Sequence, residues 1–318
     1  MSIKTKAKDI WQITKETASA WMDADPFRQS AVVAYYAIFS MPALLVIVIA
    51  LAGFVFGEEA VRGQIAGQIG SALGPETAKQ VQEIIANASK GDTSLIATII
   101  SVITLILGCT GVFDQLQVSL NKIWQVQSIA KKKWLKTIKD RLFSFGIVIS
   151  IGFLLLISLL ITTLLAAFSA LLKQYFPEFM LSIFELINFL ISFGVITVLF
   201  ALMFKVLPDT HIGWKNVWIG AIATAFLFIL GKFALGIYFG KAQPGSAYGA
   251  AGSIVLIMLW VSYSCMIVFF GAEFTKQYLL HYGGKITPTK DAVLMTPPQP
   301  IDEKSLDKED VEELRVKK

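Results

Sequence analysis

Six long apolar stretches constrain the fold of this chain more than any other feature of its sequence. Each stretch is long enough to cross the hydrocarbon core of a bilayer, roughly 30 Å thick, as an α-helix. A helix suits this role because it satisfies its own backbone hydrogen bonds in lipid. The sequence therefore predicts an all-α, polytopic membrane protein with six transmembrane helices. The predicted spans cover residues 31–56, 95–113, 142–172, 183–206, 217–239 and 247–270.

The composition argues against an ordinary water-soluble enzyme. Only 16% of the 318 residues are charged and 55% are hydrophobic, whereas a soluble domain carries about 25% charged residues. The two histidines are isolated, both cysteines lie in apolar runs, and the sequence carries no metal-binding, hydrolase or phosphate-binding motif. We therefore expect no enzymatic activity, no metal and no cofactor.

The positions of lysine and arginine predict how the chain is oriented. Of 28 such residues, 22 lie in the segments that share a side with the N-terminus, and five lie in the segments on the other side. Because positively charged segments stay in the cytoplasm, both termini are predicted to be cytoplasmic. The predicted parts are a cytoplasmic amphipathic segment (1–30), a transmembrane domain (31–283) and a disordered cytoplasmic tail (284–318).

Two segments outside the spans are predicted to be helical. In the N-terminal segment, Ile10, Ile13, Thr17 and Trp21 recur one helical turn apart. This spacing fits either a helix lying on the membrane surface or a helix packed under the bundle. Between the first two spans, residues 57–93 carry two apolar stripes separated by a Gly-Pro pair. They are predicted to form an exterior helical hairpin over the outer mouth of the bundle.

Lys232 lies inside the fifth predicted span, where a charged side chain is costly. A lysine at the centre of a span costs about 2.5–3.5 kcal/mol on insertion, and its apolar neighbours offset roughly that amount. Glu185 and Asn188, at the outer start of the fourth span, are its candidate partners. The hypothesis is that these three residues bind an anionic substrate in an outer polar cavity. The alternative is a lysine that snorkels to the interface or serves packing only.

A second polar cluster lies at the inner ends of the spans. Asp114, Gln117 and Asn121 follow the second span at spacings that place them on one helical face, and Glu273 follows the sixth span. These four residues either line an inward cavity as a gate or tie the helices together.

A proline inside the first span predicts a local distortion. Pro42 leaves the carbonyl of Ile38 without its helical donor and can kink the helix. The nearby Ser40 hydroxyl can satisfy freed backbone groups. Such a kink serves either packing or function.

Several motifs together resemble one protein family. They are A-Y-Y-A-I-F-S-M-P in the first span, G-V-F-D-Q-L-Q-V-S-L-N-K-I-W after the second, and L-P-D-T, Y-G-A-A-G-S, L-W and G-A-E-F further along. The combination resembles the YihY/BrkB family of bacterial inner-membrane proteins over roughly residues 25–280. Positions that match the family signature, most of them within these motifs, include Tyr35, Trp124, Pro208, Asp209, Gly220, Tyr248, Gly249, Trp260 and Gly271.

The resemblance implies a multi-pass protein of the bacterial inner membrane, without an agreed set of catalytic residues. Members of this family were once labelled ribonuclease BN, and others have been proposed to move lipid-type molecules. A ribonuclease is not expected here, because the basic run at residues 131–139 is explained by topology and by contact with anionic lipids. The expected function is transport or flipping of an amphiphilic, anionic, lipid-type substrate. The alternative is a non-transporting scaffold for envelope assembly; the expected partners are membrane lipids and not nucleic acid, and the oligomeric state is left open.

Overall fold

The computed structural model describes residues 3–89, 111–129, 178–242, 244, 245, 248 and 251–295. These residues are mostly helical, with two short strands. The helices are α1 (Ile3–Asp23), α2 (Pro26–Phe56), α3 (Glu58–Leu73), α4 (Pro75–Ser89), α5 (111–123), α6 (Glu178–Val206), α7 (Trp214–Ala242) and α8 (Gly252–His281); the strands are β1 (Val126–Ser128) and β2 (Ala292–Leu294).

Three helices in the described ranges are long and apolar enough to cross a membrane. They are the Leu186–Val206 part of α6, α7 and α8, and the fourth, fifth and sixth predicted spans fall on them. The first predicted span lies within the 31-residue helix α2. The third predicted span, and nearly all of the second, lie outside the described residues. The structure is therefore that of a helical membrane protein, and the count of six spans stays a prediction.

Helix α8 is the central helix of the described bundle. It packs against α1, α2, α3, α4 and α7, while α6 packs against α7. An apolar helix gains no hydrophobic advantage from leaving lipid, so packing of this kind depends on close surface contact between helices.

Two reciprocal glycine–threonine pairs form a close contact between α7 and α8. A Cβ atom on Gly220 of α7 would lie 1.8 Å from Thr275 Oγ1 of α8, and a Cβ atom on Gly271 of α8 would lie 1.8 Å from Thr224 Oγ1 of α7. Each threonine hydroxyl donates a 2.7 Å hydrogen bond to the glycine carbonyl four residues earlier in its own helix. The threonine hydroxyls are thus satisfied locally, and the glycines let the two backbones approach closely.

The apolar core has two parts, one toward each end of the bundle. One part lies where α5, α6, α7 and α8 meet, and the other lies where α3 and α4 cover the ends of α2, α7 and α8. Fully or nearly buried members of the first part are Leu120, Trp124, Phe204, Val217 and Phe269; those of the second are Ile49, Val61, Val81, Ile85 and Ile257.

Helices α3 and α4 pack against each other. Gly57 and Gly74, the residues that precede these helices, have φ values of 85° and 94°, which a glycine adopts without steric cost. The Gly-Pro pair noted in the sequence lies at the turn between the two helices, because α4 begins at Pro75. The position of helices α3 and α4 outside the membrane stays a prediction.

Four segments that are far apart in the sequence converge at one end of the helices, here called the strand-pair end. Strands β1 and β2 form an antiparallel pair at this end. The Thr289 N–H donates to the Asp209 carbonyl at 3.0 Å, and Lys122 Nζ donates to the Ala24 carbonyl at 3.1 Å. These contacts join the end of α1, the region after α5, the α6–α7 loop and the segment after α8. All four belong to the segments that the lysine and arginine count assigns to one side.

The first residues after α8 differ from the predicted disordered tail. Residues 284–295 are held by the β1–β2 pair and by bonds to the α6–α7 loop, such as His211 N–H to the Thr287 carbonyl at 2.8 Å. The sequence could not indicate this because a three-residue strand carries almost no periodic signal and its partner lies more than 150 residues away. Residues 296–318, the rest of the predicted tail, lie outside the described residues.

Helix α1 packs under the bundle, which was one of the two alternatives left open by its sequence. Ile13 and Thr17 are fully buried, and α1 contacts α8. Ile10 and Trp11 remain exposed on another face of α1. That face leaves apolar side chains available to the bilayer surface.

The α7–α8 contact predicts that substitution of Gly220 or Gly271 lowers the stability of the protein. Replacing either one by alanine is expected to lower the free energy of unfolding by about 1–3 kcal/mol, because the added methyl group would overlap a threonine side chain. The measurement is equilibrium unfolding of the purified protein in mixed micelles.

Gly236→Ala in α7 is the matched control for these variants. A Cβ atom on Gly236 meets no described atom within 4 Å, and alanine favours a helix over glycine. This control is expected to keep or raise stability. Equal stability of the Gly220, Gly271 and Gly236 variants would show that the crossing does not require glycine.

Candidate functional site

A buried ion pair occupies the strand-pair end. Glu273 Oε1 and Lys276 Nζ of α8 lie 2.7 Å apart, with their side chains only 1% and 7% exposed. Gln277 Nε2 donates a second bond, also 2.7 Å long, to Glu273 Oε1. A buried pair of this kind is tolerated only when further hydrogen bonds compensate the loss of water.

Lys276 also connects α8 to α5. Its Nζ donates a 2.8 Å hydrogen bond to the carbonyl of Ile123, the last residue of α5. The final carbonyls of a helix have no partner within the helix and carry partial negative charge, which favours a cation at that position. One ammonium group therefore neutralises Glu273 and caps a neighbouring helix.

A second polar contact at this end joins α5 to the α6–α7 loop. Asn121 Nδ2 donates to Asp209 Oδ2 at 2.9 Å, and the backbone N–H of Asp209 donates to Asn121 Oδ1 at 2.8 Å. Asn121 is buried and Asp209 is half-buried. The side-chain amide of Asn121 thus donates one hydrogen bond to Asp209 and accepts another from it, and the two bonds fix the position of the α6–α7 loop.

The predicted inner cluster is therefore only partly brought together. Asn121 and Glu273 lie at the same end, and each is bound to a different partner. Asp114 is exposed and Gln117 is half-buried further back on α5. Asn121 links α5 to the α6–α7 loop, whereas the contacts of Glu273 lie within α8 and the bond from α8 to α5 is made by Lys276. Both interpretations of the cluster, a gate or a tie between helices, stay hypotheses.

Sequence reasoning missed Lys276 and the partner of Asn121. Glu273 and Lys276 are three residues apart in a helix, a spacing that brings opposite charges together, so this pair could have been found from the sequence. The contact of Asn121 with Asp209 spans 88 residues and has no local signal.

The residues of the predicted outer site, Lys232, Glu185 and Asn188, lie farther apart than the bonded residues of the strand-pair end. Phe200 of α6 and Phe228 of α7 are in edge contact, with ring centroids 5.6 Å apart. Because α6 and α7 run in opposite directions, Lys232 lies level with Ile196, and Asn188 lies about 12 Å farther along α6. Lys232 is exposed and Asn188 is half-buried. The side chain of Glu185 lies outside the described part of the chain, so the three-residue site stays a prediction.

The first span continues as one helix through Pro42, since α2 runs from Pro26 to Phe56. The Ser40 hydroxyl is buried and donates to the carbonyl of Ala37 at 3.1 Å, and not to that of Ile38. The predicted kink at Pro42 stays a prediction.

The signature positions divide by burial. The buried positions lie in the α7–α8 contact or close to the end of α5, and of the others only Tyr35 and Tyr248 are exposed. Buried positions are Trp124, Pro208, Gly220 and Gly271; half-buried positions are Asp209 and Trp260; exposed positions are Tyr35 and Tyr248; Gly249 lies outside the described residues.

The Glu273–Lys276 pair predicts a large effect of removing one charge. Glu273→Gln and Lys276→Met are each expected to lower the free energy of unfolding by about 3–5 kcal/mol, because each leaves the other charge buried without its partner. The double variant is expected to cost less than the sum of the two single variants. Unfolding in mixed micelles measures all three.

Glu58→Gln is the control for this experiment. Its carboxylate forms a surface pair with Arg62 at 3.5 Å, and an exposed pair contributes less than about 1 kcal/mol. If the two single variants in the buried pair were as stable as this control, the pair would not hold the strand-pair end together.

Comparison with known proteins gives the family of the chain. The family described as "Virulence factor BrkB" matches residues 17–293. A UPF0761 membrane protein of Tolumonas auensis is 30% identical over 60% of this chain and 59% of its own length. A UPF0761 membrane protein of Teredinibacter turnerae is 22% identical over 90% of this chain and 65% of its own length. One from Pseudoalteromonas atlantica is 27% identical over 76% of this chain and 77% of its own.

The chain thus spans about three-fifths of the length of the Tolumonas relative. No solved structure gives a significant match. The relatives are named only as membrane proteins, in agreement with the three apolar helices α6, α7 and α8. Because the family match covers most of the chain, this membrane protein belongs to the BrkB family.

Proposed function

We propose that this protein transports or flips an amphiphilic, anionic, lipid-type molecule across the bacterial inner membrane. The observation that carries the proposal is an exposed lysine in the middle of an apolar helix. Lys232 lies ten residues from the end of α7, which places its Cα about 15 Å from that end. Ionisable residues at such depth are expensive and usually mark a pathway for a substrate or an ion.

The surroundings of Lys232 support a headgroup site. Ala225 and Lys232 are seven residues apart and share a face of α7. Ala225 is fully buried, whereas Lys232 is exposed. Among the described residues, this face of α7 therefore changes from buried to exposed within two helical turns. An anionic headgroup at that position would neutralise the ammonium group and leave its acyl chains among apolar side chains.

The half of α6 on the same side has a similar character. Leu186, Phe189 and Leu190 are exposed, whereas Phe200 and Phe204 farther along α6 are buried. Asn188 lies within the exposed half and is a second candidate polar contact for a headgroup, with Glu185 as the third. Because Lys232 and Asn188 differ in depth, we propose that they act in succession along the path of one headgroup.

The arrangement of the segments supports the proposed topology. The four segments that meet at the strand-pair end all belong to the set that together holds 22 of the 28 lysines and arginines, which favours the cytoplasmic side. Helices α3 and α4 lie at the other end, beside the ends of α2 and α7. Six spans with both termini in the cytoplasm, and an outer hairpin formed by α3 and α4, account for both observations.

In this proposal the strand-pair end is the closed inner gate. The Asn121–Asp209 and Lys276–Ile123 contacts hold it shut, and movement of a substrate toward the cytoplasm would require one of them to open. The same contacts favour a second candidate function, a scaffold for envelope assembly that does not transport. Neither candidate is an enzyme.

Transport can be tested with Lys232→Ala in reconstituted liposomes. The variant is expected to move fluorescent phosphatidylglycerol at least about tenfold more slowly than the unchanged protein, because a hydrogen bond to a charged group contributes about 1.5–3 kcal/mol. Quenching of the outer leaflet by dithionite measures the rate. Lys241→Ala, near the end of the same helix, is the control and is expected to retain the rate.

The result that would contradict the substrate site is equal transport by the Lys232 and Lys241 variants. Absence of transport by the unchanged protein, with normal elution on size-exclusion chromatography, would contradict transport itself and favour the scaffold.

The gate makes a separate prediction for Asn121→Ala. The variant loses both bonds to Asp209, which destabilises the closed state. It is therefore expected to pass phosphatidylglycerol faster than the unchanged protein. The expected increase is about tenfold, because each bond contributes roughly 1 kcal/mol and local relaxation offsets part of the loss. The same dithionite assay measures this rate. A purely structural tie predicts lower stability and an unchanged or lower rate.

A further inference from the structure

A short segment between α8 and β2 lies across the α6–α7 loop at the strand-pair end. It comprises residues 285–290 and is here called the latch. The Thr289 N–H of the latch donates to the Asp209 carbonyl at 3.0 Å, and the His211 N–H of the loop donates to the Thr287 carbonyl at 2.8 Å. Two backbone hydrogen bonds therefore hold the loop to a segment that belongs to neither α6 nor α7.

A side chain of the loop adds a third bond to the latch. The Thr210 hydroxyl donates to the Thr287 carbonyl at 3.0 Å, and Thr210 itself is buried. Thr210 lies opposite Pro288 in an antiparallel bridge. Because the backbone bonds flank this bridge, it is a non-hydrogen-bonded pair, in which the two Cα atoms lie only about 4.5 Å apart.

Asp209 is held from two sides by these contacts. Its carboxylate and its N–H bind Asn121 of α5, and its carbonyl binds Thr289 of the latch. The residue that closes the strand-pair end against α5 is thus also the residue that the latch grips.

Both ends of the latch are anchored independently of the loop. The Gly284 N–H donates to the Leu279 carbonyl of α8 at 2.9 Å, and the Met295 N–H, after β2, donates to the Gln125 carbonyl, before β1, at 2.7 Å. Strand β1 closely follows α5 in the chain. The latch therefore stays with α8 and α5, and the loop can leave α5 only if the latch releases it.

We propose that the latch regulates the inner gate, and that it must release residues 209–211 before Asp209 separates from Asn121. The inference rests on the proposed function, in which the strand-pair end is that gate. It names the part of this end that opens first.

The latch is attached less firmly than the loop beneath it. Leu207 and Ile212 of the loop are buried in the apolar core, whereas Ile286 of the latch is half-buried at the edge of that core. Lys285 and Thr287 are exposed. Segments with few buried apolar contacts open locally at a lower cost than the core does. The latch is therefore expected to open while the membrane helices stay folded.

The β1–β2 pair is not expected to part in this movement. Ala292 of β2 is buried and lies opposite Ser128 of β1. The Ile129 N–H donates to the Asp291 carbonyl at 2.8 Å beside this pair, so Ser128 and Ala292 also form a non-hydrogen-bonded pair. They have the same geometry as Thr210 and Pro288 at a place where no release is proposed.

Disulfide trapping tests the latch in the full chain. The two native cysteines are replaced by alanine, and Thr210→Cys with Pro288→Cys then allows copper–phenanthroline to join the latch to the loop. Oxidation is expected to slow transport of fluorescent phosphatidylglycerol at least about tenfold, because it removes the open state, and reduction is expected to restore the rate. Extraction of the lipid by albumin measures the rate, since dithionite would reduce the disulfide.

Ser128→Cys with Ala292→Cys is the matched control. Its disulfide joins β1 to β2, which stay together in the proposal, and it is expected to leave the rate unchanged. Mass spectrometry verifies that both disulfides form. Equal rates of the two oxidised proteins would overturn the proposal.

Hydrogen exchange tests the release without a transport assay. Thr210→Val removes one bond to the latch and is expected to make exchange of the His211 and Thr289 amides about fivefold faster. Thr197→Val is the control, because the buried Thr197 hydroxyl donates to the Phe193 carbonyl of its own helix. Mass spectrometry of peptides that contain the two amides measures the exchange.

Equal exchange in the two threonine variants would show that the latch does not open locally, and would overturn the proposal. Faster exchange throughout α7 and α8 in the Thr210 variant would also overturn it, since release would then require unfolding of membrane helices. Absence of transport by the unchanged protein would contradict the proposed function, and with it the gate, even where exchange shows that the latch opens.

Discussion

The contact between α7 and α8 is the feature on which the rest of the described structure depends. Two helices in lipid have no hydrophobic reason to associate, so their packing requires backbones that can come close. Gly220 and Gly271 allow this approach, and Thr224 and Thr275 fill the space opposite them while returning their hydroxyls to their own helices. Helix α8 then serves as the support for α1, α2, α3 and α4.

The two ends of the bundle differ in how their polar groups are used. At the strand-pair end, Asn121, Glu273 and Lys276 are buried and bonded to protein groups. Toward the other end, Lys232 is exposed on an apolar helix. In the transport proposal, the bonded polar end is the closed gate and the exposed Lys232 marks the open flank. The same closed end also suits a rigid scaffold, and only transport measurements separate these functions.

The sequence by itself determined that this protein lies in a lipid bilayer and that its apolar segments are helices of spanning length. Apolar runs of spanning length predict helices because the backbone has no other partner in lipid, and α6, α7 and α8 confirm that prediction. Only the tertiary structure decided which polar residues meet. Asn121 binds Asp209 across 88 residues, and β1 pairs with a strand in the predicted tail. Such contacts depend on where helix ends arrive in space, which a local pattern of residues does not contain.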